Sequence, residues 1–158
     1  MTLTNYENIK ILRIDPGNKD FTELTKKLDS ILQESDGEDH EFFAQFNKSA
    51  DLDKAVIIYI NDDPAACGAI KKYSGKAAEI KRMYVQPEYR RKGIARKILD
   101  ELEKLSSELN YTECILETGK DLLAAVNLYK VSGYEVIPNY GQYAGKVRSV
   151  CFRKVLNV

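Results

Sequence analysis

Residues 89–95, YRRKGIA, hold the densest chemistry in the chain: three consecutive cations, Arg90, Arg91 and Lys92, run into Gly93. Behind them Ile94, Ile98, Leu99, Leu102, Leu105 and Leu109 recur at helical spacing and predict one apolar helix face. Ahead of them residues 78–85, AEIKRMYV, alternate as a strand does, and Pro87, which cannot donate to a sheet ladder, closes the run. The order is therefore strand, basic glycine turn, helix. A helix start offers unpaired N–H groups and the positive end of the helix dipole, and a glycine lets a ligand come close to the backbone. Three cations beside such an end predict a polyphosphate seat. The plainer alternative is a solvated helix start.

The rest of the chain must position that seat. With 158 residues it has room for one domain, expected to span 1–158 and to bury about two thirds of its unfolded surface. Lys plus Arg and Asp plus Glu both number 24, so no global field attracts nucleic acid or an anionic membrane, and neither is expected as a partner. The basic cluster is local, which suits a small anionic ligand. No apolar run approaches the roughly 18 to 20 residues of a membrane span, and the polar start MTLTNYENIK does not read as a signal peptide, so a cytoplasmic protein is expected. The oligomeric state is open, a homodimer included.

Cys67, Cys114 and Cys151 form no C-x-x-C pair, and each lies in an apolar strand-like run. They read as small buried residues in a reducing compartment, with a catalytic thiol as the minor alternative. His40 is the only histidine, which rules out a histidine-based metal cage, and no metal is expected. It opens HEFFAQF, a short helix candidate, as a surface or cap residue or as a base at an acceptor site.

In chain order, residues 9–14 form a first strand ended by the turn DPGN. Asp20 is expected to cap a helix through FTELTKKLDSIL, and residues 34–41, ESDGEDHE, to follow as an acidic loop. That loop is either a solvated linker or the rim of an acceptor pocket. Residues 55–60 and 65–73 read as a hairpin about a turn at 61–64, and residues 77–85 add a third strand. After the long helix come a strand at 112–117, a helix at 122–131 stopped by Gly133, and strands at 134–137 and 148–156. The loop between the last two, PNYGQYAGK, carries Tyr140 and Tyr143, which either wall an acceptor site or shield the loop.

Arg90, Gly93 and Ala95 fit the Q/R-x-x-G-x-G/A signature of the GNAT superfamily, the acetyl-CoA-dependent N-acyltransferases, in its strand-and-helix context. The segment LYKVSGY at 128–134, ETG at 117–119 and the tail at 137–154 extend this over about half the chain, and the tail is similar to that of a bacterial subset with uncharted acceptors. The resemblance implies an α/β fold of the α+β type, with a central mixed, mostly antiparallel sheet of about seven strands flanked by helices. It implies acetyl-CoA as co-substrate, seated between the strand ending at Val85 and the strand ending at Glu117. The backbone of Met83, Tyr84 and Val85 would pair with the pantetheine arm, and one of those amides would hold the oxyanion. Residues 90–96 would wrap the pyrophosphate through the N–H groups of Lys92, Gly93, Ile94 and Ala95, with Arg90, Arg91, Lys92 and Arg96 adding charge.

Acetyl transfer also needs a base, because only about one lysine-like amine in a thousand is unprotonated at neutral pH. The resemblance places Glu79 in that role, where residue pattern alone also allows an outward charge paired with Lys81. It places Tyr129 as the acid that protonates the departing thiolate, where the alternative is a core aromatic. One position departs from the pattern: the asparagine that many members carry near the start of this helix is Leu122 here, and Asn127, five residues on, lies roughly 140° around the helix. The function implied is transfer of acetyl to a primary amine of a small molecule or peptide within a ternary complex. The rival is an acyl-CoA-binding regulatory module on the same scaffold, without turnover.

Overall fold

The structure is a computed structural model and describes residues 8–157. The elements are β1 (Ile9–Ile14), α1 (Lys19–Asp36), α2 (His40–Ala44), β2 (Lys54–Ile60), β3 (Asp63–Lys72), β4 (Ala77–Val85), α3 (Ile94–Glu108), β5 (Glu113–Gly119), α4 (Leu123–Val131), β6 (Glu135–Ile137) and β7 (Ser149–Val155). They build one seven-stranded sheet in the order β1-β2-β3-β4-β5-β7-β6. β1, β2 and β3 pair antiparallel, β4 and β5 pair parallel, and β7 runs antiparallel to both β5 and β6. This is the mixed sheet of seven strands flanked by helices that the resemblance implies.

Two local expectations are corrected. Asn18, not Asp20, caps α1: its Oδ1 accepts from the amides of Asp20 and Phe21 at 2.8 and 3.1 Å. Asn18 has extended backbone and so can face the amides ahead of it, whereas Asp20 is already inside the first turn and accepts from the Tyr59 hydroxyl at 2.6 Å. Nor is the acidic stretch a loop. α1 continues to Asp36, a 3-10 turn spans Gly37–Asp39, and α2 begins at His40. Glutamate, glutamine and serine do not stop a helix; Gly37, at φ +55°, does. His40 is half-buried, with Nδ1 3.5 Å from Oδ2 of Asp36 one helical turn back.

The hairpin between β2 and β3 turns on Asn61 and Asp62, both left-handed at φ +50° and +68°, which matches the twist of the strands it joins. By contact the chain forms two compact units, one up to Lys71 together with Lys81–Leu102, the other Lys72–Ile80 together with Glu103 onward. β4 and α3 each contribute to both. In the first, Phe21 and Leu24 of α1 cover Ala55, Ile57, Cys67, Ala69 and Tyr84. There β3 meets α3 so closely that a Cβ on Gly68 would lie 2.7 Å from Ile98 Cγ2 and 2.8 Å from both Leu102 Cδ1 and Met83 Sδ. In the second unit the buried residues include Leu116, Tyr129, Tyr134, Tyr143 and Phe152.

Candidate active site

The first unit carries the basic turn. β4 delivers it: Tyr84 points into the core beneath α1, Met83 points toward α3, and the Gln86 amide bonds the Ala65 carbonyl at 2.8 Å. A 3-10 turn at Pro87–Tyr89 follows, then Arg91 at φ +64° and Gly93 at φ +81°. Left-handed residues interleaved with ordinary ones turn successive N–H groups toward one side, a concavity that suits an anion. α3 closes its first bond from the Lys97 amide to the Gly93 carbonyl at 3.2 Å. The amides of Ile94, Ala95 and Arg96 thus precede any intrahelical acceptor.

The cations of this turn brace it. Arg90 donates from Nε to the Val85 carbonyl at 2.8 Å and lies 5.7 Å over the Tyr84 ring. Lys92 Nζ donates to the Glu88 carbonyl at 3.2 Å, and Arg96 pairs with Asp100 at 3.3 Å. Their charge stays beside the helix start while the backbone provides the cradle. Arg91 is exposed, and its left-handed backbone costs roughly 1–2 kcal/mol.

β4 has one further irregularity that no sequence pattern announces. Arg82 sits in mid-strand at φ +60°, with its side chain only 1% exposed. Nη2 donates to the Thr25 carbonyl at 3.0 Å and to Asp29 Oδ1 at 2.6 Å. A left-handed residue inside a strand breaks the alternation and re-aims the peptide planes that follow, here those of Met83 to Val85.

The second unit carries the titratable cluster. Glu79 stands opposite Ile115 in the parallel ladder and is 5% exposed, so the reading of it as an outward charge on a half-solvated strand is overturned. Tyr140 donates its hydroxyl to Glu79 Oε2 at 2.6 Å. Tyr73 and Tyr143 meet the Tyr140 ring edge-on, at centroid distances of 5.0 and 5.7 Å. Burial first, then the Glu79 charge, pushes the Tyr140 hydroxyl far above its usual range. Tyr143 is buried, and its hydroxyl is raised by burial, then by Glu117 and Glu79.

Tyr129 of α4 is buried between Tyr134 and Phe152, with ring centroids 5.8 and 5.9 Å away. Burial, and secondarily the Glu117 carboxylate, raises its hydroxyl, so it remains a phenol at neutral pH. Glu117 is itself held by Ser149 Oγ at 2.7 Å. Leu122 precedes α4, and a Cβ on Gly119 would be 3.5 Å from its side chain; Asn127 is exposed. The three thiols are free and buried, Cys67 pushed up to about 12 and Cys114 and Cys151 to about 11, in each case chiefly by burial. None is a thiolate at neutral pH.

Sequence reading singled out Glu79, Tyr129 and Tyr140 one by one but not the Glu79–Tyr140 bond, the left-handed backbone of Arg82 or the Ser149–Glu117 bond. A tyrosine-rich loop was the only signal of the first, and Glu117 was marked only by the resemblance of ETG. Nothing local marked Arg82.

A basic glycine turn thus joins a strand to an amphipathic helix on a mixed seven-stranded sheet. The chain belongs to the acetyltransferase (GNAT) family, whose model matches residues 19–134. It is 30% identical over 97 residues to the uncharacterized N-acetyltransferase YsnE of Bacillus subtilis (strain 168), a match covering 60% of this chain and 64% of that protein. A Klebsiella pneumoniae protein assigned as an acyl-CoA N-acyltransferase has a similar structure, with TM-score 0.78 and 25% identity over 94% of this chain and 98% of that one. The PaiA N-acetyltransferase of Thermoplasma acidophilum, solved with coenzyme A, shares the fold at TM-score 0.67 and 18% identity, over 94% of this chain and 99% of that one.

Proposed function

We propose that this protein transfers an acetyl group from acetyl-CoA to a primary amine of a small molecule or peptide, by direct attack within a ternary complex. The observation that carries the reading is the turn from Arg91 to Gly93, whose two left-handed residues lead into the first amides of α3, which precede any intrahelical acceptor. Such a cradle fits the pyrophosphate of acetyl-CoA, and the family membership supports the same donor. Backbone amides of Met83, Tyr84 and Val85 bind the pantetheine arm, and one of them stabilises the oxyanion as the amine attacks.

Glu79 takes the proton from the ammonium, and Tyr129 gives its proton to the departing sulfur. Both groups suit those roles: Glu79 is held at a defined oxygen, and Tyr129 is kept protonated. Tyr140 and Tyr143 form the aromatic side of the acceptor site. No residue stands out as an acyl-carrying nucleophile, and the three thiols are held protonated. Buried free cysteines suit a reducing compartment, and we place the protein in the cytoplasm.

The test is the thermal unfolding midpoint with and without acetyl-CoA, for the natural protein and for Gly93→Glu, followed by release of the CoA thiol across a panel of primary amines. At about 100 times the dissociation constant a ligand adds roughly 2.7 kcal/mol, a rise of about 5–10 °C for a domain of this size. A rise in the natural protein and none in the variant supports the seat. No rise in either at millimolar acetyl-CoA defeats the reading. Binding without CoA release from any amine would favour the regulatory module instead.

A further inference from the structure

We propose that Tyr140 is the positioning residue for the general base, holding the Glu79 carboxylate in one orientation through the bond to Oε2. This rests on the reading of Glu79 as the base, and it gives Tyr140 a task beyond contact with the acceptor. A buried carboxylate on a strand can rotate about its last two side-chain torsions, and a base is effective only when one oxygen is aimed at the proton it removes. The 2.6 Å bond from Tyr140 engages Oε2 and so opposes that rotation.

The phenol is in turn fixed by aromatic neighbours on both sides. Tyr73 meets it edge-on at an interplanar angle of 72° and Tyr143 at 88°. All four groups lie in the second unit, Tyr73 just after β3, Glu79 on β4, and Tyr140 and Tyr143 on the β6–β7 connection. The Glu79 charge bears on Tyr140 and Tyr143 of the loop and on Cys151 of β7, and Glu117 of β5 bears on Tyr143 and Cys151. Tyr140 donates to Oε2, and a phenol kept from ionising by its surroundings remains a donor through the neutral range.

The experiment compares the natural protein with Tyr140→Phe, Tyr73→Leu and Glu79→Gln. Followed are kcat and KM for acetyl-CoA and for the fastest amine of the panel, read as CoA release from pH 7 upward. Tyr140→Phe should lower kcat at pH 7 about tenfold with KM for acetyl-CoA unchanged, because a misaimed base slows proton removal without touching the donor seat, and the loss should shrink as pH nears the pKa of the amine itself. Tyr73 is 46% exposed, so Tyr73→Leu loosens the phenol without opening a buried cavity and should give a smaller loss of kcat of the same kind. It also serves if Tyr140→Phe does not fold.

An unchanged kcat in both variants, or a loss that is equal at every pH and shared by KM for acetyl-CoA, with Glu79→Gln inactive at pH 7, would overturn the positioning role and leave Glu79 as the base. A Glu79→Gln variant with the natural profile, or no CoA release from any amine, would remove the base reading and the proposal with it.

Discussion

Arg82, left-handed in the middle of β4, places Nη2 2.6 Å from Oδ1 of Asp29 on α1. The pair is asymmetric: the guanidinium is 1% exposed and the carboxylate 57%. A strand residue at positive φ is strained by about 1–3 kcal/mol and persists only where its surroundings hold it. The bonds to Asp29 and to the Thr25 carbonyl supply that hold.

Asp29→Ala should therefore destabilise the protein by about 1–3 kcal/mol, above an ordinary surface pair but below a fully buried one, because it leaves a buried cation under-compensated while water screens the lost partner. Chemical denaturation measures this directly. A change under about 0.3 kcal/mol would mean that Thr25 and the packing alone hold Arg82. If the irregular strand serves the donor arm, acetyl-CoA affinity falls as well.

Glu79→Gln keeps the side-chain shape and removes the carboxylate proposed as the base. Turnover should fall about 100-fold or more at pH 7 and recover as pH approaches the pKa of the acceptor amine, where deprotonated amine becomes plentiful. Initial rates from pH 6 to 10 show this. An equal fractional loss at every pH would assign Glu79 a structural part only.

Tyr129→Phe removes one hydroxyl from a packed aromatic cluster. Acetyl transfer should slow about 10- to 100-fold, while acetyl-CoA binding by calorimetry changes less than twofold. Because the hydroxyl is raised, the natural enzyme should not lose this acid function on the alkaline side up to pH 10. Parallel losses of binding and turnover would indicate packing.

The raised thiols and phenols also set a stability profile. A group whose pKa is higher in the folded chain than its unfolded value contributes fully below the unfolded value and loses its contribution as pH rises toward the folded one. For Cys67 the window runs from 9 to about 12, and for Cys114 from 9 to about 11, each costing about 1.4 kcal/mol per pH unit crossed. Tyr129 adds to this above 10. The unfolding midpoint should be flat near neutral pH and fall steeply above pH 9. A midpoint unchanged at pH 10.5 would contradict the burial of these groups.

Much of the architecture was legible from local pattern. The strand, glycine turn and helix from residue 78 onward appear where their alternation, basic run and helical period place them, because each depends on residues within about a dozen positions of one another. The hairpin turn at Asn61 and Asp62 was legible for the same reason. Local reading failed where composition stood in for conformation: the acidic stretch looked like a loop, yet it carried no helix breaker before Gly37.

What pattern could not supply was the partnership across distance. Glu79 and Tyr140 are 61 residues apart, and Arg82 and Asp29 are 53 apart. Such contacts depend on strand order, on the register that sets Glu79 against Ile115, and on a loop returning its phenol to a 2.6 Å bond. The sequence by itself determined the basic glycine turn, because a cradle at a helix start is built from consecutive residues. Only the tertiary structure decided the surroundings of Glu79, because a carboxylate's neighbours come from whichever segments the sheet brings beside it.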